Sequence, residues 1–186
     1  MSIGGEGQAT VREGSRAMGR MLILHDLGQG EVERLLPQDP ARCSLFAATP
    51  PVRHCVGCFR CWLKTPGTCV IDDRGATFVG LMATHDEVVF LSRLVFGGLS
   101  PDVKAVLDRS IGFVLPFFRT LNAEMHHVQR FDTSPAFRYV LYGPDMTEQE
   151  KGTARRLAAA NALNLGSGRC SVSFFPSARE AAEALA

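Results

Sequence analysis

A chain of 186 residues, of which 46% are hydrophobic and 21% charged, can bury one ordinary globular core. Its formal net charge of +1 excludes the strongly basic surface that binding to nucleic acid or to an anionic membrane would need. No apolar run approaches the roughly 20 residues that span a bilayer, and residues 1–20 lack the apolar stretch of a secretory signal. We therefore expect a protein of the cytoplasm, where thiols stay reduced.

Residues 1–20 differ in composition from everything that follows. They are rich in glycine and arginine, and their few apolar residues follow no helical or strand period. We interpret them as a disordered tail, or as sequence that precedes the true start, for which Met18 and Met21 are candidate initiators. A single domain is therefore expected over residues 21–186.

The first half of this domain alternates short strands with short helices. Met21–His25 reads MLILH, a continuous apolar run of the kind that fills a buried parallel strand. A glycine-containing turn and a short helix over residues 31–36 follow, and then a brief strand over residues 43–48. After a cysteine-rich segment, Asp73 is expected to cap a helix over residues 76–83.

The second half continues the alternation. Residues 87–91 (EVVFL) give the strongest strand signal in the chain. Ser100-Pro101-Asp102 combines a capping hydroxyl, a proline at the first helical position and an acid, so it predicts a helix that runs to about Gly112. Residues 113–136 are expected to be irregular. The remaining predicted elements are a strand over 137–142, a helix from the capping box at Thr147 to Asn164 with Gly166 at its end, a strand over 169–175 and a last helix capped by Ser177.

Strands that alternate with helices predict an α/β domain in which helices cover both faces of a parallel sheet. Five strands of these lengths indicate the flavodoxin-like, doubly wound five-stranded sheet with strand order 2-1-3-4-5. Ligands of such sheets bind beyond the carboxyl ends of the strands, where the strand order reverses. We therefore expect the functional residues in the loops that follow strands one, three and four.

Four of the six cysteines lie within fifteen residues, in the spacing Cys55-x2-Cys58-x2-Cys61-x7-Cys69. Two-residue gaps can place three sulfur atoms around one centre, and a more distant fourth sulfur can close it. This spacing resembles the ligand set of a [4Fe–4S] cluster more than that of zinc, which usually takes two separated pairs of ligands. Zinc, a redox-active dithiol and buried thiols that pack as small apolar groups remain alternatives. Disulfide bonds are the least favoured use in a reducing compartment.

The segment CVGCFRCWLKTPGTCVIDD, with the strand, the Gly-Gly loop and the Lys104-x3-Asp108-Arg109 sequence that follow it, resembles the NADPH-dependent FMN reductase and iron–sulfur flavoprotein family over roughly residues 50–112. The resemblance implies a flavodoxin-like fold, FMN as cofactor, NAD(P)H as hydride donor, a small-molecule or protein electron acceptor, and a homodimer. Some members carry a [4Fe–4S] cluster on this loop, whose ligand positions match Cys55, Cys58, Cys61 and Cys69. The resemblance also places the flavin ring against two loops, which comprise Ser92, Arg93, Leu94, Val95, Phe96, Gly97, Gly98, Tyr142 and Gly143.

The loop after the first strand departs from the family's phosphate-binding pattern. Asp26, Glu31 and Glu33 stand where a phosphate needs backbone N–H donors and positive charge, although Gly28 and Gly30 still offer N–H groups. The sequence therefore predicts a weak phosphate site, and similar affinities for FMN and riboflavin. The alternative function is a flavin-free protein of the same fold that acts as a metal-binding or interaction module built on the cysteine loop.

The remaining candidates are two adjacent histidines and two isolated cysteines. Neighbouring residues of a strand point to opposite faces, so His126 and His127 are poorly placed to bind one metal ion together. Their functional interpretation is a place in a substrate pocket with Arg130. Cys43 and Cys170 lie on predicted strands and are expected to be buried there.

Overall fold

The computed structural model describes residues 19–37 and 39–185. Residues 1–18, which make up most of the segment interpreted as a tail, lie outside the described residues. The strands are β1 (Met21–His25), β2 (Cys43–Ala47), β3 (Glu87–Arg93), β4 (Val114–Leu121), β5 (Glu124–Gln129), β6 (Ala136–Tyr142) and β7 (Cys170–Phe175). The α-helices are α1 (Gln29–Leu35), α2 (Arg60–Leu63), α3 (Phe78–Ala83), α4 (Pro101–Asp108), α5 (Glu148–Asn164) and α6 (Ala178–Glu183), and short 3₁₀ helices cover Arg74–Thr77 and Arg109–Phe113.

Five of the strands form one parallel sheet in the order β2-β1-β3-β6-β7. Numbered by their own sequence order, these strands run 2-1-3-4-5, which confirms the predicted flavodoxin-like α/β fold. Strands β4 and β5 form a separate antiparallel hairpin. Among the helices that the structure describes, none is long and apolar enough to cross a membrane.

The sheet is covered on both faces because successive residues of each strand point to opposite sides. In β1, Leu22 and Leu24 belong to the core layer shared with α3, α4 and α5, whereas Ile23 belongs to the layer shared with α6. All three side chains are completely buried. The carboxyl ends of the strands, with their loops, therefore form one exposed edge above a rigid core.

The helix starts follow the predicted capping chemistry at three of four positions, and Asp73 caps the 3₁₀ helix that precedes α3. The Thr147 hydroxyl accepts a hydrogen bond from the N–H of Glu150 at 3.2 Å, and the Glu150 carboxylate accepts one from the N–H of Thr147 at 3.0 Å. Ser177 caps α6. Ser100 does not cap α4, because its hydroxyl has no partner among the described residues, and its own N–H donates to the Ser92 hydroxyl at 2.9 Å. The α4 helix is also shorter than predicted, since the turn after it is 3₁₀.

The expectation that residues 113–136 are irregular is wrong. They contain the β4–β5 hairpin, which turns at Asn122 and Ala123 with φ angles of 51° and 64°. The strand pattern was hidden because Pro116 interrupts it and because the adjacent Phe117 and Phe118 put aromatic side chains on both faces.

Candidate functional site

The cysteine loop connects β2 to the 3₁₀ helix before α3, at the carboxyl edge of the sheet. It turns through Gly57 and Phe59, whose φ angles are 64° and 55°, and then forms the single turn of α2. One cavity of about 340 Å³, which we call the cysteine cavity, is lined by Cys55, Cys58, Cys61 and Cys69. The structure thus brings together the four cysteines that the spacing grouped.

The Cys61 thiol lies within electrostatic reach of the other three thiols. Burial raises the pKa of the Cys61 thiol, and interaction with Cys69, Cys55 and Cys58 raises that pKa further. Several thiolates are therefore unfavourable in this cavity unless a positive centre compensates them. None of the six cysteines forms a disulfide. Within the described part of the chain, no three His, Cys, Asp or Glu side chains already stand as ligands around a single metal ion.

Arg109 lines the same cavity, and its side chain is completely buried. Its guanidinium donates hydrogen bonds to the Asp73 carboxylate and to the carbonyl oxygens of Arg53 at 3.2 Å and Ile71 at 2.9 Å. Its Nε has no partner among the described residues. Burial lowers the pKa of Arg109, but interactions with Asp73 and Cys69 outweigh burial, so that the pKa is raised. Arg109 is therefore a permanent cation beside the thiols.

A second cavity, of about 310 Å³, lies between the loops that follow β3 and β6, and we call it the β3–β6 cavity. Five of the nine residues expected to contact a flavin ring line it, namely Arg93, Leu94, Val95, Phe96 and Gly143. The loop after β6 adds Pro144, Asp145 and Met146, and α5 adds Glu150. The two loops of the resemblance therefore share one cavity.

Three of the other four expected ring contacts hold the loop after β3 in shape. The loop begins later than expected, because Ser92 and Arg93 are the last residues of β3. The buried Ser92 hydroxyl accepts a hydrogen bond from the N–H of Ser100 and donates one to the carbonyl oxygen of Arg93. Val95 and Gly98 exchange two backbone hydrogen bonds, of 2.9 and 2.8 Å, around a turn in which Gly97 has a φ of 78°. A role of these residues in ring binding stays a prediction.

The fourth residue, Tyr142, closes the crevice above the sheet. Its hydroxyl donates to the Asp26 carboxylate at 2.8 Å, and the N–H of Arg93 donates to the same carboxylate at 2.9 Å. Because β3 lies between β1 and β6, this contact crosses the end of β3, where the strand order reverses. Burial, followed by the charge of Asp26, raises the pKa of Tyr142, so its hydroxyl remains a neutral donor.

The loop before α1 does not fit the phosphate of FMN. The N–H of Gly28 donates to the carboxylate of Glu31 at 3.0 Å, so this donor is already used at the start of the helix. A phosphate dianion here would meet the carboxylates of Asp26 and Glu31 instead of free N–H groups and positive charge.

The adjacent histidines face different surroundings, as neighbours on a strand should. His126 is buried and hydrogen bonds to the side chains of Asn164 at 3.0 Å and Glu124 at 3.1 Å. The ring of His127 instead contacts Trp62, with centroids 5.0 Å apart. The two imidazoles therefore do not form a pair.

The isolated cysteines and Arg130 lie in different parts of the fold. Cys43 is buried on β2, as expected, but Cys170 is exposed. The expectation of burial fails for Cys170 because β7 is an edge strand and Cys170 is its first residue. Arg130 donates from Nε to the carbonyl oxygen of Gly112 at 2.7 Å.

No pattern in the sequence assigns a role to Arg109. Its only signal was its position directly after the Lys104-x3-Asp108 pair in the family-like segment. Its burial depends on contacts with residues 53–73, which approach it only in the folded chain. Long-range contacts of this kind leave no local pattern.

No protein-family model and no curated protein matches this sequence. Solved structures match its fold. Smu.1420 from Streptococcus mutans aligns with a TM-score of 0.58 and 10% identity, over 89% of this chain and 98% of that chain. The NAD(P)H:quinone oxidoreductase from Methanothermobacter marburgensis gives a TM-score of 0.58 and 11% identity, over 90% and 95%. The FMN-dependent NADH-azoreductase from Bacillus anthracis, in complex with FMN, gives 0.57 and 9%, over 90% and 95%.

These comparisons establish the class of fold. The chain has the flavodoxin-like architecture that it shares, over nearly its whole described length, with two oxidoreductases of solved structure. Sequence identities of 11% or less show the fold alone, so activity and cofactors are argued from the site.

Proposed function

We propose that this chain is an oxidoreductase of the flavodoxin-like fold that moves electrons from NAD(P)H to a small-molecule or protein acceptor. The observation that carries the proposal is the gathering of four cysteines on one cavity at the carboxyl edge, beside the buried cation Arg109. Ligands of open α/β sheets bind at this edge. Two proteins of the same fold, the quinone oxidoreductase and the azoreductase, support the redox class.

The cysteine cavity is proposed to hold a [4Fe–4S] cluster on Cys55, Cys58, Cys61 and Cys69. Four thiols are the usual donor set of such a cluster, which supplies one-electron transfer when bound. Around one zinc ion, with bonds of about 2.3 Å, four sulfur atoms would lie only about 3.8 Å apart. Cluster ligands bind different irons, so their sulfur atoms lie farther apart than the ligands of one zinc ion. Arg109 would offset the negative charge of the centre.

We also propose that a flavin binds in the β3–β6 cavity by its ring and not by its phosphate. The cavity of about 310 Å³ is at the lower end of the roughly 300–1,000 Å³ usual for ligand pockets, which suits a ring system better than a complete FMN. A bound flavin supplies the exchange between hydride and single electrons. Arg93 at the end of β3 and Gly143 in the loop after β6 would orient the ring, and the carboxylates of Asp26 and Glu31 would repel a phosphate.

The proposal sets two further conditions. Free thiols and a cluster persist in a reducing compartment, so we place the protein in the cytoplasm. The homodimer implied by the family resemblance remains a prediction, which the mass of the protein in solution tests.

The test is anaerobic purification followed by a visible spectrum and by iron and sulfide analysis. We expect about four irons and four sulfides per chain. Most of this iron and sulfide should be lost in Cys55→Ala. The variant should still fold, because the side chain of Cys55 is exposed. Cys170→Ala is the matched control, because Cys170 is also exposed but is distant in sequence from the loop. Wild-type protein that contains neither iron nor sulfide contradicts the cluster.

A second candidate function is a flavin-free metal-binding or interaction module. The observation that favours it is the Tyr142–Asp26 contact across the end of β3, which fills part of the crevice where ligands of this fold bind. The two functions differ in one measurement. Wild-type protein is incubated with excess riboflavin, desalted and then denatured by heat. It should release flavin fluorescence in the first case, and none in the second.

A further inference from the structure

A row of aromatic rings runs from the cysteine loop to the β4–β5 hairpin. Phe59 stacks on Trp62, with centroids 5.2 Å apart and an interplanar angle of 8°. Trp62 contacts His127 at 5.0 Å, and His127 contacts Phe118 at 4.7 Å. The two ends of this aromatic row are exposed, since Phe59 is 53% and Phe118 is 62% accessible to solvent.

The aromatic row is the centre of a concentration of exposed apolar side chains. Seven large hydrophobic residues of the described chain are exposed. Five of them belong to the cysteine loop, to α2 or to the face of the hairpin that carries Phe118: Val56, Phe59, Leu63, Phe118 and Met125. Phe117 lies on the opposite face of β4. Apolar side chains gathered in this way usually mark an interaction surface.

Positive charge without compensation lies beside this surface. Residues 51–71 contain Arg53, Arg60 and Lys64 but no aspartate or glutamate, although the whole chain is nearly neutral. Arg53 forms an ion pair with Asp73. Arg60 and Lys64 are exposed, one helical turn apart on and just after α2, and within the described residues neither forms an ion pair.

We propose that the aromatic row and the Arg60–Lys64 pair form a docking surface for an acidic one-electron carrier protein. Protein interfaces combine an aromatic centre with a charged rim, and a positive rim selects a negative partner. The inference rests on the proposed function, because docking here would bring the carrier to the exposed Cys55 and Cys58 at the cysteine cavity. One electron would pass from the reduced cluster to the oxidised carrier, which is then the protein acceptor, with no bond broken and no proton moved in this step.

The test measures binding of an acidic plant-type [2Fe–2S] ferredoxin to the full chain by calorimetry at low salt, with basic cytochrome c as the opposite probe. We expect Arg60→Glu/Lys64→Glu to weaken ferredoxin binding by at least about tenfold, and Phe118→Ser to weaken it as well. Arg34→Glu/Arg156→Glu is the matched control, because these exposed arginines lie on α1 and α5 and their reversal changes the net charge equally. It should change the affinity by less than about threefold. Raising the salt to 0.3 M should weaken the wild-type complex.

Four results would overturn the docking surface. The first is an equal loss of ferredoxin affinity in the two double variants, and the second is a wild type that binds cytochrome c as tightly as ferredoxin. The third is displacement of ferredoxin by NADPH. The fourth is a wild-type dimer that Phe118→Ser dissociates. Iron and sulfide content separates this inference from the proposed function. A wild type with a cluster but no ferredoxin binding overturns the docking surface alone, whereas ferredoxin binding without a cluster overturns the cluster alone.

Discussion

Asp73 connects the cysteine loop to the helix that follows it. Its carboxylate accepts hydrogen bonds from the N–H groups of Arg53 at 3.0 Å and Gly75 at 2.9 Å, and from the guanidinium of Arg109. Burial raises the pKa of Asp73, but these hydrogen bonds outweigh burial and hold the pKa below its usual value. Asp73 thus caps a helix, as the sequence predicts, and also neutralises a buried arginine, which no sequence pattern shows.

Asp73→Asn should make the stability of the protein less dependent on pH. Because the folded pKa lies below the unfolded value of about 3.9, the contribution of the carboxylate is complete above that value and is lost as the pH falls through the folded pKa. We expect a loss of about 3 kcal/mol in the free energy of unfolding at pH 7, since Arg109 would lose its partner, and a smaller loss below about pH 4. Urea denaturation of the wild type and of the variant at several pH values from 7 to 3 measures this difference in the free energy of unfolding.

Asp108→Asn is the control for this measurement. Asp108 pairs with Lys104 at 2.6 Å, but both side chains are about half exposed, so its loss should cost less than about 1 kcal/mol. A destabilisation by Asp73→Asn that stays constant from pH 7 to pH 3 would show that packing, not charge, explains the effect.

At the scale of elements, the loop before α1 decides how flavins bind. FMN and riboflavin should bind with affinities within about tenfold of each other, because one charge-assisted phosphate contact is worth more than that factor. Glu31→Ala frees the N–H of Gly28 and removes a negative charge, so it should shift the preference toward FMN. Fluorescence titration of both flavins measures this, with the exposed Glu33→Ala as control. Wild-type protein that prefers FMN by a hundredfold would contradict the loss of the phosphate site.

Two glycines near α3 have opposite surroundings. A Cβ on Gly80, within α3, would meet nothing within 4 Å, whereas a Cβ on Gly75 would lie 2.8 Å from Nη1 of the buried Arg109 and 3.1 Å from Asp73. Gly80→Ala should therefore stabilise the protein by up to about 1 kcal/mol, and Gly75→Ala should destabilise it by about 1–3 kcal/mol. Thermal unfolding of both variants checks the signs. Equal effects would show that Arg109 moves away at little cost.

The predictable elements are those whose signals are local. The strand Met21–His25 is a continuous apolar run, and the capping box at Thr147 is read from four residues, so both were assigned within a residue of their bounds. The hairpin was missed because Pro116 interrupts β4 and because Phe117 and Phe118 put aromatic side chains on both of its faces, which removes the period of a half-buried strand. The position of Arg109 depends on contacts between distant segments, and such contacts lie outside any local pattern.

At the scale of the whole molecule, the site and the core are connected by many long-range bonds. Trp62 in the cysteine loop donates from its indole N–H to the carbonyl oxygens of Val114 at 2.9 Å and Ile111 at 3.3 Å. Val114 is buried in the core layer that contains β1 and β3. The order of the main sheet was predictable because the alternation of strands and helices restricts it, but this attachment of the loop was not.

This attachment predicts that the cysteine loop unfolds together with the rest of the chain. Trp62 is the only tryptophan of the sequence, so its fluorescence reports the loop, while far-ultraviolet circular dichroism reports the sheet and helices. In urea, the two signals should show one transition with a common midpoint, as expected for a single cooperative domain. Phe118→Ser, an exposed change on the hairpin, should leave the two midpoints coincident. A fluorescence transition at clearly lower urea would show that the loop opens before the core, because local unfolding needs less free energy than global unfolding.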